Sequence, residues 1–250
     1  MSYTLEICSN SVQSALNAQL AGAKRVELCD NLWESGTTPS IGTIKKAKEL
    51  LTIPLFVLIR PRGGDFIYSD LEFEVMKEDI ISCKKLGVNG IVSGVLNNDN
   101  TIDINRTNEL IELSKPLPFT FHRAFDITPN LPAALKKLIN LKADRVLTSG
   151  GKDDATEASV VIKELNEIAK NTIKIMPGGG INHANISKLF ITGSTEFHLT
   201  GHERCVSPAP ETTLKLNGIE GIPETDYFQS SVPKIKRVIS KLETHFVNAI

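Results

Sequence analysis

The sequence predicts an α/β protein, a single (β/α)8 TIM-type barrel occupying residues 1–250 with a long irregular loop after its eighth strand. Three observations lead there. Strand-like and helix-like runs alternate along the whole chain. The strand-like runs number eight and recur at about 20–35 residues, the length of a βα unit. No Pro/Gly/Ser-rich linker divides them. A doubly wound sheet would ordinarily show fewer strands and a GxGxxG fingerprint after the first, where this chain reads Cys8-Ser9-Asn10-Ser11.

The strands are expected at Thr4–Cys8, Arg25–Cys29, Leu55–Arg60, Gly90–Gly94, Phe119–Arg123, Arg145–Thr148, Ile173–Met176 and Glu196–Thr200. Each is a short run rich in apolar residues, as a strand buried on both faces requires. The helices between them carry readable ends. Ser11–Ala21 stops at Gly22, and Ser40 precedes Ile41–Leu51. Asp70 opens Leu71–Leu86 before Gly87, and Asp103 opens Ile104–Leu113. Asn130 precedes Leu131–Leu141, with Pro132 tolerated in the first turn. Asp154–Lys170 is the sixth helix; Asn182 or Asn185 starts a seventh that Gly193 ends, and Ser231 caps Val232–Asn248. His202–Ser230, with Pro208, Pro210 and Pro223, fits no such unit and is expected to be irregular, forming a flap over the barrel or lacking order.

Composition narrows the function classes. The net charge is −1 with 23% charged residues and no basic stripe, so neither nucleic acid nor an acidic partner is implied. No apolar run approaches the roughly 20 residues of a membrane span, and no signal peptide is evident. The four cysteines form no CxxC pair, which suits reduced thiols in a cytoplasmic protein.

In a barrel, chemistry sits at the C-terminal strand ends on inward-pointing side chains. Strand alternation then gathers Glu6, Cys8, Glu27, Cys29, Arg60, His122 and His198 at one mouth. The patterns Leu5-Glu6-Ile7-Cys8 and Val26-Glu27-Leu28-Cys29 echo each other at consecutive strand ends. Buried thiols are commonly plain core residues, but two of them with two imidazoles suit a soft or borderline metal, Cu(I) or zinc. Buried carboxylates such as Glu6 and Glu27 need a partner, and Arg60 is a possible counter-ion. Thr148-Ser149-Gly150-Gly151 and Pro177-Gly178-Gly179-Gly180 follow the sixth and seventh strands. There Ser149, Gly150, Gly178 and Gly179 could cradle phosphate or carboxylate, or could simply make tight turns.

Several of these stretches resemble the CutC family: Leu5-Glu6-Ile7-Cys8, Gly22-Ala23-Lys24-Arg25-Val26-Glu27-Leu28-Cys29, Ile59-Arg60-Pro61-Arg62-Gly63-Gly64-Asp65-Phe66, Thr120-Phe121-His122-Arg123-Ala124-Phe125-Asp126 and Leu147-Thr148-Ser149-Gly150. The resemblance runs in order from about residue 4 to 201. It implies a cytoplasmic TIM barrel of copper homeostasis, with proposed copper-binding cysteines at Cys8 and Cys29. The chain departs from the family pattern at Ser35-Gly36, at Ala158, at Thr200-Gly201 and from about His202 onward.

Two functions are therefore expected to compete. One is Cu(I) binding through Cys8 and Cys29, with His122 or His198 as further ligands. The other is an enzyme for a small anionic metabolite, phosphorylated or carboxylated. In it Glu6 or Glu27 would be the base, His122 the acid or electrophile and Arg60 the anion clamp, with His198 completing the group. A homodimer is the default assembly by analogy with other barrels. An interaction protein without metal or metabolite would instead need an exposed apolar patch.

Overall fold

The computed structural model describes residues 2–210, 214 and 225–246. Eight parallel strands line up in the order β7-β6-β5-β4-β3-β2-β1-β8. They are β1 (Thr4–Ser9), β2 (Arg25–Leu28), β3 (Leu55–Leu58), β4 (Gly90–Ser93), β5 (Phe119–Phe121), β6 (Arg145–Thr148), β7 (Lys174–Pro177) and β8 (Glu196–Leu199). The ring closes between β7 and β8 through one bridge, Gly178 to His198. A Cβ on Gly178 would come within 2.5 Å of Leu147 Cδ1 and 3.2 Å of His198 Cβ. Its glycine thus serves the closing approach of two strands.

Outward residues such as Leu5, Ile7, Val26, Leu28, Val57 and Ile91 form one core with the helices. The helices are α1 (Val12–Ala21), α2 (Ile41–Leu50), α3 (Asp70–Lys85), α4 (Ile104–Ser114), α5 (Leu131–Asn140), α6 (Ser159–Ala169) and α7 (Val232–Phe246). Their ends follow local chemistry. Ser11, Ser40, Asp103 and Asn130 accept backbone N–H bonds in the first turns of α1, α2, α4 and α5. Inside the ring lies a smaller apolar cluster of Cys8, Cys29, Phe56, Leu58 and Val92.

Four expectations need correction. Ser69, rather than Asp70, caps α3, in a reciprocal capping box with Glu72. Asp154 accepts from Thr156 N and opens only the short 3-10 turn Ala155–Glu157, so α6 starts afresh at Ser159. The expected seventh helix is a 3-10 segment, Ile186–Thr192. There Asn185 Oδ1 accepts from Asn182 N and Asn182 Oδ1 from Ala184 N, offering the backbone a turn instead of an α-helical start.

The segment after β8 is also more ordered than expected: β9 (His202–Val206) and β10 (Asp226–Ser230) form an antiparallel hairpin. Ser14 Oγ accepts from Ser230 N, while Asn10 and Asn17 donate to the carbonyls of Phe228 and Ser230. The hairpin therefore flanks β1 and α1, with Phe228 set edge-on to Trp33 at 4.8 Å. Pro223 and the last residues of the expected Val232–Asn248 helix lie outside the described residues.

One stability consequence is specific. Gly150 has φ +70°, and an added Cβ would meet Ala158 Cβ at 2.6 Å. Gly150→Ala should cost about 1–3 kcal/mol through left-handed strain and overpacking, read as a lower denaturant midpoint at unchanged slope.

Candidate functional site

The barrel interior is organised by charge before it is organised by apolar packing. The register sets Glu6 against Arg25 on β2 and against His198 on β8. Arg25 Nε donates to Glu6 Oε2, and its Nη2 donates to Glu196 Oε2 at 2.6 Å. Arg145 Nε donates to the same Glu196 oxygen at 2.5 Å, and its Nη1 to Thr120 Oγ1 at 3.1 Å. Both guanidinium groups also lie over the Phe56 ring. Two carboxylates and two guanidiniums are thereby paired out of water.

This network decides which expected site residues remain available. Glu6 is fully buried. Burial opposes its ionisation, but Arg25, the His198 hydrogen bond and Arg145 outweigh it and bring its pKa down to about 2. Its carboxylate is committed to the interior, which leaves Glu27 as the more available carboxylate of the pair. Burial, with Glu6 adding and His198 and Arg25 opposing, lifts Glu27 to about 7. Glu27 Oε2 has no hydrogen-bond partner and lies 3.4 Å from His198 Nδ1. Burial works against protonation of His198, yet Glu27, Cys8 and Glu6 together raise its pKa well above the usual histidine value. His198 Nδ1 and Glu6 Oε1 are 2.8 Å apart, and an ionised carboxylate can only accept, so Nδ1 carries the proton.

Cys8 and Cys29 are both free and buried, with their sulfurs 3.4 Å apart. Cys8 stands across from Glu27 in the β1–β2 register, and Cys29 N bonds Ser9 O just above. The hydrogen bond shared with Cys29, then burial, push the Cys8 thiol well above its ordinary pKa. Cys8, Glu27 and His198 each present a ligand atom within 4.8 Å of the others.

These residues open into a cavity of about 600 Å³ lined also by Leu58, Arg60, Phe66, His122, Arg123 and Asp126. His122 ends β5: its Nδ1 accepts from Ala124 N and starts the 3-10 turn Arg123–Ile127, which shortens the expected strand. Burial, with Arg60 nearby, lowers its pKa to about 3, so the ring is neutral, with its proton on Nε2. His122 does not join the thiol group, and its Nε2 has no partner.

Arg60 is not the counter-ion of Glu6 or Glu27; Arg25 fills that role for Glu6. The Arg60 guanidinium instead donates to the carbonyls of Glu34, Gly36 and Gly64, and lies over Phe66. The loop after β6 is occupied by the protein's own anion. Asp126 accepts from Thr148 Oγ1, Ser149 N, Ser149 Oγ and Gly151 N, while Gly150 N bonds Thr148 Oγ1. An external phosphate at Ser149 and Gly150 would have to displace that carboxylate. Gly178 N is held by Thr148 O; of the four expected loop residues, only Gly179 lines the cavity.

The sequence reading passed over Arg25, Arg145 and Glu196 as site residues. Their signal was parity: Arg25 lies two residues before Glu27, and Glu196 two before His198. Strand parity alone would turn Arg123 toward the helices. The 3-10 turn re-aims it to the mouth, where it pairs with Asp126 at 2.8 Å.

Fold and site together define a (β/α)8 barrel with a thiol, imidazole and carboxylate cluster at its C-terminal mouth. The CutC family model matches residues 3–203, and the chain belongs to that family. A mouse protein named copper homeostasis protein cutC homolog is 49% identical over 197 residues, covering 78% of this chain and 72% of its own. A CutC protein of Bacteroides fragilis is 41% identical over 244 residues, covering 97% of each chain. The crystal structure of a Streptococcus agalactiae chain assigned as copper homeostasis protein CutC superposes with a TM-score of 0.76 at 37% identity, covering 79% of this chain and 98% of that one. Pyrococcus furiosus thiamine phosphate pyrophosphorylase shares the fold alone, at TM-score 0.61 and 13% identity over 98% of this chain and 97% of its own.

Glu6→Gln should destabilise the protein by about 3 kcal/mol at pH 7, the low end for a broken buried pair because Glu196 still holds Arg25. Glu6 has a folded pKa of about 2 against an ordinary 4.5, so its contribution is complete above 4.5 and lost as pH falls toward 2. Chemical denaturation at pH 7 and pH 3 should show the gap between wild type and Glu6→Gln narrowing in acid.

Proposed function

We propose that this protein serves copper homeostasis by holding Cu(I) at the barrel mouth between Cys8 and Cys29, with His198 as a third donor. The carrying observation is the pair of free thiols 3.4 Å apart, of which Cys8 lines the cavity and Cys29 lies buried behind it. Two sulfurs and an imidazole nitrogen are a soft donor set suited to Cu(I). The surroundings favour His198 over His122 for the third position. With Nδ1–H donated to Glu6, Nε2 is the nitrogen left for a metal once it gives up the proton that the raised pKa keeps there, and Glu6 fixes the ring as carboxylates do behind metal-binding histidines. His122 is bound to the Ala124 N–H through Nδ1 and stands outside the cluster that Cys8, Glu27 and His198 form, whereas Cys29, also outside that cluster, joins it through its 3.4 Å contact with Cys8.

The raised thiol pKa of Cys8 gives this site a pH signature. Cu(I) must replace the thiol proton, so binding releases protons and tightens as pH rises, about tenfold per unit for each proton released. Anaerobic titration against a competing chelator at pH 6, 7 and 8 should show that slope. In the same assay Cys8→Ser/Cys29→Ser should abolish tight binding, and His198→Ala should weaken it by roughly 10–100-fold. Equal affinity in the double cysteine variant and the wild type would refute the assignment.

A second reading, acid–base catalysis on a small anionic metabolite, draws on one observation: Glu27, lifted to about 7, shares the cavity with a neutral His122. Glu27 would then exchange the proton, and His122 would donate a hydrogen bond to the developing oxyanion. Turnover of a ligand found by screening, lost in Glu27→Gln with binding kept, would establish it.

A further inference from the structure

A second part of the cavity lining has its own chemistry. It carries Arg60, Phe66, His122, Arg123 and Ile127, from the ends of β3 and β5. Arg60 is 2% exposed, and its hydrogen bonds go to three backbone carbonyls. No carboxylate pairs with it among the described residues. A buried guanidinium without an anion is costly unless a ligand supplies the charge. His122 is 5% exposed, and its Nε2–H has no acceptor. A donor left this way forfeits the hydrogen bond it makes in water, and a ligand acceptor would restore it. Arg123 stands at the rim with Nε on Asp126 and one Nη on Ser149 and Lys152, while its other Nη lies beside Gly179 of the cavity lining.

We propose that this wall binds the carboxylate of a small organic acid, held between the His122 Nε2–H and the Arg123 guanidinium within the field of Arg60. The charge count favours a carboxylate over a phosphate dianion. Asp126 already neutralises Arg123, and Glu6 and Glu27 stand against His198, so among the described lining residues Arg60 is the cation left to balance, and it balances one negative charge. The loop donors that would suit a phosphate are taken by Asp126. Leu58, Phe66, Ile127, Leu147, Ile181 and Leu199 offer apolar surface for the body of the acid. A cavity of about 600 Å³ is ample for it. His122 is neutral at physiological pH and stays a donor there. The site requires neither copper nor turnover.

The test is calorimetric titration of metal-free protein at pH 7 with pyruvate, 2-oxobutanoate, malonate and inorganic phosphate, beside ¹⁵N-imidazole NMR. At least one monocarboxylate should bind and shift the His122 Nε2 resonance. His122→Phe and Arg123→Gln should each weaken that binding at least tenfold, and Cys8→Ser/Cys29→Ser should retain it. The wild-type NMR shift decides the matter even if His122→Phe folds poorly. Phosphate binding without any carboxylate, no binding from the whole panel, or binding that leaves the His122 resonance unmoved would each overturn the proposal. Copper affinity in the cysteine variant is read separately, so either reading can fail alone.

Discussion

The buried pairing of Glu6 and Glu196 with Arg25 and Arg145 is the constraint on which the rest of this barrel depends. Ordinary barrels fill their interior with branched apolar layers. Here charged residues from β1, β2, β6 and β8 take that place, and each must find its partner across the ring. Such a network has little tolerance for register error, because a slip of one residue would turn these groups toward the helices and leave them unpaired. It therefore ties β8 to β6 through Glu196 and Arg145, across the seam where the ring closes through a single bridge.

The same network sets the chemistry above it. Arg25 holds Glu6 ionised, ionised Glu6 fixes the proton on His198 Nδ1, and His198 then faces the mouth beside Cys8 and Glu27. Glu27, with His198 Nδ1 3.4 Å away but no hydrogen bond to its Oε2, carries the cost of burial and is lifted to about 7. Two carboxylates that look equivalent in sequence thus have opposite characters, one a permanent anion and one poised to exchange a proton. Across the cavity the charge reverses, with Arg60 and a neutral His122 facing inward. A mouth with a thiol wall and a donor wall can hold a soft metal and an organic anion at separate places.

The repeat of strand and helix was readable because each element signals locally. Capping residues, stopping glycines and apolar runs state their role within a few residues, and Ser40 and Asn130 do as read. The misreadings were also local competitions. Asn182 and Asn185 hold a turn where an α-helix was expected, and His122 bonds its own backbone to end β5 early. The ordered hairpin at His202–Val206 and Asp226–Ser230 could not be read, since its two strands meet only across a long connection and against α1.

At the site, the sequence by itself determined which side chains reach the mouth. Strand alternation is a property of the backbone, so Glu6, Cys8, Glu27 and His198 had to share one interior. Only the tertiary structure decided what each does there. Strand stagger opposes Cys8 to Glu27 rather than to Cys29, yet leaves the two sulfurs 3.4 Å apart. Arg25, not Arg60, neutralises Glu6, and Asp126 occupies the donors of the loop after β6. Those outcomes turn on distances between residues far apart in the chain, and hydrogen bonding and electrostatics depend on distance in a way that no spacing along the sequence encodes.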